Sequence, residues 1–169
     1  MTIDDAIRDR RTHKVYGSDP VPRATLDELF ELARWAPNHH LTEPWRFRVV
    51  GPAALDALKA AGGPADAAKL NRAPTLVAAT VLQAGPVDQR LEDVCAAAAA
   101  IYIVLLAADA RGLAGYWRTP AVLNSKNGRA ALGIGDDEIS LGLIHLGPRR
   151  QEQKPPARRD TADIVTYLD

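Results

Sequence analysis

Cysteine is nearly absent: Cys95 is the only one in 169 residues, so no disulfide can close within the chain. Its place in an apolar run reads as a buried thiol in a reducing interior. Net charge is absent as well. Twenty-one basic and 21 acidic side chains cancel, leaving no global field for nucleic acid or an anionic membrane, so any anion site must be local. The longest uncharged run falls short of the roughly 20 residues that a spanning helix needs. The start, M-T-I-D-D-A-I-R-D-R-R, is too charged for a signal peptide. These absences lead to the expectation of a cytoplasmic protein with neither nucleic acid nor membrane as partner. Also missing are G-x-S-x-G, a P-loop, a serine or cysteine triad and any repeat of 20–50 residues. Gly133-x-Gly135 is a lone pair without the rest of a dinucleotide fingerprint.

What is present is organised around Leu91 to Arg111. Val94 to Ala108 forms fifteen residues without a charge, five of them consecutive alanines (Ala96 to Ala100). Alanine and leucine favour helix, and a helix apolar on every face must be buried all round. One domain of this size rarely surrounds a helix alone, so the small residues suggest a copy of the same helix in a second subunit. Burial by the rest of the same chain is the alternative. The length implies one domain, 1–169, with a core of its own.

Along the chain, Thr2 to Arg10 is expected to be a short helix, with acids in its first turn and arginines in its last. Thr25-Leu26-Asp27-Glu28 has capping-box spacing before an apolar stripe that ends at Pro37. Trp45 to Val50 alternates like a half-buried strand, and Ala53 to Ala61 reads as a helix closed by Gly62-Gly63-Pro64. Thr75 to Leu82, Tyr116 to Thr119 and Ser140 to Leu146 read as strands, and Asn124 to Leu132 as a helix. From Gly147 to Asp160 the chain is polar and extended, yet Ile164, Val165, Tyr167 and Leu168 resume apolar character. An arm over a partner explains this pattern, and a frayed terminus is the alternative.

Three stretches carry candidate chemistry. Arg10-Arg11-Thr12-His13-Lys14 puts three cations and a hydroxyl within five residues, a set able to hold phosphate through arginine forks. Ordinary helix-end cations are the alternative. Lys154, Arg158 and Arg159 form a second basic group on the tail. Ala36 to Trp45 is a polar loop kinked by two prolines, in which Asn38, His39 and Glu43 offer hydrogen bonds to the edge of a flat ligand. Adjacent His39 and His40 lack chelate spacing, so no metal is expected. Gly112 to Pro120 combines small residues with the planar surfaces of Tyr116 and Trp117, which a buried strand and turn would equally use.

These stretches, in this order around an alanine-rich helix, resemble the FMN-dependent nitroreductase family, particularly its short bacterial branch. Arg10-Arg11-Thr12 with Lys14 resembles the family's N-terminal R-R-S/T motif. Ala36-Pro37-Asn38-His39 through Glu43-Pro44-Trp45 resembles A-P-(D/S)-H-x-x-x-Q-P-W. Glu92-Asp93-x-x-Ala96 resembles the start of the long dimer helix, and Gly112 to Thr119 resembles G-x-G-x-x-W-R-S. Gly147-Pro148, Lys154-Pro155-Pro156 and Arg158-Arg159 resemble a tail whose arginine reaches the phosphate.

The resemblance implies an α+β fold, a mostly antiparallel central sheet flanked by helices in an intertwined homodimer, with residues 148–169 as an arm reaching the partner subunit. It implies FMN as cofactor and NADH or NADPH as reductant, with a nitroaromatic, quinone or related small acceptor. No side chain would be catalytic in itself, because the flavin carries the chemistry. Cofactor contacts would come from Arg10, Arg11, Thr12 and Lys14, from His39 and Glu43 of the other chain, from Trp117, Arg118 and Thr119, and from Arg158. Glu43 stands where the family has glutamine, and Leu41 where longer members have asparagine. A carboxylate beside the flavin disfavours its anionic reduced form. The short chain also implies a more open pocket than in longer members. Reductive dehalogenation, flavin breakdown, a sensory flavin-binding dimer and a plain helical interaction module are the rival readings.

Overall fold

The computed structural model describes residues 2–168. Helix α1 (Ile3–Asp9) is started by Thr2, whose hydroxyl accepts from the Asp5 N–H while the Asp5 carboxylate accepts from the Thr2 N–H. That reciprocal pair is a capping box. The one expected at Thr25 is not used, because α2 (Arg23–Ala33) begins earlier, with Pro22 as its cap and Thr25 inside the first turn. The chain is pinned just before this start: the Val21 N–H donates to Thr75 Oγ1 at 2.9 Å.

Four strands, β1 (Trp45–Val49), β2 (Thr75–Leu82), β3 (Leu113–Arg118) and β4 (Glu138–Pro148), form one sheet in the order β1-β2-β4-β3. Every neighbouring pair is antiparallel, as expected. The β2–β4 register slips by one residue, so that Ala79 faces Gly142 and Thr80 faces Ser140. Leu141 is thereby bulged out, and its carbonyl accepts from the Trp117 indole N–H at 2.8 Å.

Helix α3 (Pro52–Leu70) is longer than the sequence suggests. Gly63 adopts φ 74 and breaks the helical path, as anticipated, but Pro64 then starts a second helical segment instead of a loop. Proline is well tolerated in a first turn, where its missing N–H has no partner to lose. Helix α5 (Lys126–Ala131) is short and is capped by the Ser125 hydroxyl, which accepts from the Gly128 N–H.

Apolar side chains fill both faces of the sheet. One core joins α2 and α4 (Val87–Ala110) to Val77, Val81, Ile144 and Leu146; the other joins Leu58, Leu70, Val122 and Leu132 to Leu76 and Leu143. Helix α4 spans 24 residues, long and apolar enough to cross a membrane on length and composition, but half of its most apolar window is buried against the chain's own core. Burial is one-sided. Val87, Leu91, Cys95 and Tyr102 are exposed, and Ala98 and Leu106 are half-buried. At three- and four-residue spacing these side chains form one continuous stripe. The chain thus covers only part of the helix, and Cys95, expected to be buried, lies on the uncovered part.

Among the described residues beyond Arg149, 150–168, the tail has no strand and is exposed. Its apolar end stays uncovered, with Tyr167 at 92% and Leu168 at 90% exposure.

Candidate functional site

The basic cluster begins where α1 ends. Arg11 turns its guanidinium back onto the carbonyls of Arg8 and Arg10, which suits the negative end of a helix. The Arg10 guanidinium lies over the Tyr102 ring of α4, 5.6 Å from its centre. The Nε atoms of Arg10 and Arg11 are buried without a hydrogen-bond partner. Both side chains line a cleft of about 400 Å³ with Arg8, Tyr102, Pro155, Pro156 and Arg158. The sequence groups Arg10 with Arg11; the fold adds Arg158 from the tail. Among the described residues no carboxylate lines this cleft.

From there the chain runs beside β3. Thr12 makes a parallel bridge to Gly115, and the His13 N–H donates to the Gly115 carbonyl at 3.1 Å. Lys14 is exposed. His13 is 2% exposed, and burial, reinforced by Arg149, pushes its pKa down, keeping it neutral. Its carbonyl accepts from the Tyr16 hydroxyl at 2.7 Å, and burial raises the pKa of that tyrosine. Arg149 pairs with buried Asp109 at 2.7 Å, tying the start of the tail to the end of α4.

The second group is the loop before β1. His40, Leu41 and Glu43 have φ values of 54, 52 and 42, three left-handed non-glycine residues within four positions. Such strain survives only when the surroundings fix it, and it concentrates at functional sites. Here the first turns of α4 supply the fixing. Thr42 Oγ1 donates to Asp93 Oδ1 at 2.6 Å, and Gln89 donates to the same oxygen at 3.2 Å. His39 Nδ1 lies 2.7 Å from Glu92 Oε2, and the Glu43 N–H donates to Asn38 Oδ1 at 2.9 Å. His39 lines a cavity of about 580 Å³ with Leu91, Glu92, Cys95 and Ala99 of α4. Glu43 lines a neighbouring one of about 340 Å³ with Trp35 and Leu41.

The third group divides. Along β3, Trp117 packs into the core that holds α4, whereas Tyr116 lies tilted against His145 on the opposite face, ring centres 5.9 Å apart. Strand alternation puts Arg118 on the His145 face as well. Burial and then Arg118 and Arg72 push His145 down to about 4. Trp117 and Arg118 therefore point to opposite faces, although the sequence grouped them on one ring. Thr119 is exposed at the end of the strand.

Within one chain the arginine cleft and the strained loop do not meet. No described residue lines both, yet both open along α4, the cleft at Tyr102 and the loop cavity between Leu91 and Ala99. Residues 7–147 match the model of the nitroreductase family. This chain belongs to that family. Among its relatives, YfhC of Bacillus subtilis (strain 168), which bears the name of an NAD(P)H nitroreductase, is 29% identical over 98% of this chain and 94% of its own. Among solved structures, a nitroreductase-like family protein of Bacillus cereus superposes with a TM-score of 0.89 at 22% identity, covering 99% of this chain and 96% of the other. The FMN- and NADPH-dependent nitroreductase NfnB of Sphigopyxis sp. strain HMH gives 0.83 at 19% identity with full coverage of both chains.

For a nitroreductase-family chain, the residues that escaped the sequence are those that hold others in place. Asp93 lies 51 positions from Thr42, Glu92 lies 53 from His39, and Tyr102 sits in the middle of an apolar run. Only the paired acids just ahead of that run gave any signal.

Proposed function

We propose that this chain is an NAD(P)H-dependent flavin oxidoreductase that works as a homodimer, a single domain (1–169) whose arm (148–169) reaches the partner, with FMN held where the arginine cleft of one chain meets the strained loop of the other. The observation that carries this reading is the cleft itself. Among the described residues, two buried guanidinium Nε–H groups have no acceptor and no carboxylate lines the cleft. Buried donors are nearly always paired, so a missing acceptor of anionic character is called for. A phosphate monoester fits that donor set.

Arg10, Arg11 and Arg158 would grip the phosphate, and Thr12 would add a hydroxyl beside β3. Lys14 would offer a cation where negative charge accumulates on reduction. His39 and Glu43 would come from the partner's loop, fixed by Glu92, Asp93 and Asn38. Trp117 would act from beneath, through its bond to the bulged Leu141, and Arg118 and Thr119 would close the end of β3. When bound, FMN supplies the two-electron carrier between nicotinamide and an acceptor such as a nitroaromatic or quinone. The free stripe on α4 supports the dimer: a second copy laid on Leu91, Cys95 and Tyr102 removes that apolar surface from water and lies between the two half-sites. The test is the absorbance spectrum of the purified protein, followed by anaerobic addition of NADH and of NADPH. A flavin spectrum bleached by either nicotinamide is expected. A colourless protein that takes up no FMN contradicts the reading.

A further inference from the structure

Arg158 lies on the exposed tail, yet with Pro155 and Pro156 it lines the same cleft as Arg8, Arg10 and Arg11. Among the described residues none of these four guanidinium groups makes a salt bridge with a carboxylate. Four like charges around one cleft repel one another, so the tail is held poorly while the cleft has no anion. Pro155 and Pro156 stiffen the segment just before Arg158, which lowers the entropy lost when its guanidinium is positioned. Arg10 is already oriented over Tyr102. One half of the cleft is thus fixed and the other half is carried on a tail.

We propose that a phosphate monoester acts as the clasp of the C-terminal arm: bound between Arg10, Arg11 and Arg158, it docks residues 150–168, so that arm order and phosphate occupancy rise and fall together. This rests on the reading that the cleft takes the phosphate of a bound flavin, but the clasp itself needs only the phosphate. Linkage makes the effect reciprocal: whatever frees the arm weakens the anion by the same factor. The apolar end at Ile164, Val165, Tyr167 and Leu168 is delivered to its resting place only when the clasp is closed.

The test is amide hydrogen exchange of the full chain, stripped of flavin and then given FMN, riboflavin or inorganic phosphate, with flavin occupancy read by absorbance in the same samples. FMN, and inorganic phosphate at higher concentration, are expected to slow exchange in residues 150–168 by about tenfold. Riboflavin, which lacks the phosphate, is expected to leave the arm unprotected. Arg158→Ala is expected to abolish the protection by FMN and to weaken FMN binding while leaving riboflavin binding unchanged; its site is exposed, so the fold survives the change. Equal protection with and without phosphate, or equal protection by FMN and riboflavin, overturns the clasp. Protection by inorganic phosphate with no uptake of either flavin upholds the clasp and overturns the flavin reading instead.

Discussion

At the scale of single residues, the two arginines at the end of α1 differ in role. Arg11 already satisfies carbonyls of its own helix, whereas Arg10 is braced by Tyr102 alone. Arg10→Ala is therefore expected to lower FMN affinity by about tenfold to a hundredfold, the worth of one charge-assisted contact; unchanged flavin content in the purified variant would count against it. Gly142 is a second decisive position. It holds φ 132 at the bulge, and a Cβ there would stand 2.4 Å from the Arg118 carbonyl oxygen. Gly142→Ala is expected to cost about 3 kcal/mol or more, read as a lower denaturation midpoint in urea. The sequence offers little warning of it, because glycine in a strand signals a bulge without saying which neighbour lies against it. Trp117 and Arg118 show the converse. A strict period of two already separates their side chains, and a short motif read as a unit obscures that.

At the scale of elements, the sheet is locked by one ionic knot. Arg48 of β1 meets Glu138 of β4 at 2.6 Å and Thr80 of β2 at 3.0 Å, and Thr80 also donates to Glu138. These partners hold the largely buried Glu138 carboxyl at about 2 against an ordinary 4.5, despite the opposing effect of burial. Because the folded value is the lower one, the stabilisation is complete above pH 4.5 and is lost as pH falls toward 2. It amounts to roughly 3 kcal/mol. Glu138→Gln is expected to flatten the acid limb of stability against pH, measured by urea unfolding between those limits; an unchanged limb would remove the knot from the stability balance. The strained loop is locked separately, from α4. Thr42→Val removes the bond to Asp93 and is expected to quicken hydrogen exchange in residues 38–43 while costing about 1–2 kcal/mol overall. The α4 helix and the Thr75–Leu82 strand were legible as sharply bounded apolar runs, and the Trp45–Val49 strand as an alternation. The second half of α3 was not, since Gly63-Pro64 signals a stop equally well before a loop or a new helix. Neither was the loop's anchoring, because hydrogen bonds across 51 residues leave no local pattern.

At the scale of the whole molecule, the unfinished surfaces matter most. One stripe of α4, the apolar end of the tail and two half-sites all remain open in a single chain. In the dimer proposed above, a second copy laid along α4 would cover all of them together. Cys95 lies near the centre of the stripe and is exposed in the single chain, so Cys95→Glu should leave the chain folded yet stop it pairing, with flavin lost at the same time. The arginine cleft and the strained loop were both visible in the sequence as candidates, but their separation along α4 was not, because it depends on where two distant segments land on one helix. The most direct measurement is light scattering of the purified protein during size-exclusion chromatography, with flavin absorbance recorded across the same peak. A particle of two chains carrying one flavin per chain is expected. A stable single chain that binds FMN as well as the dimer does, or a dimer that binds none, would contradict the shared site.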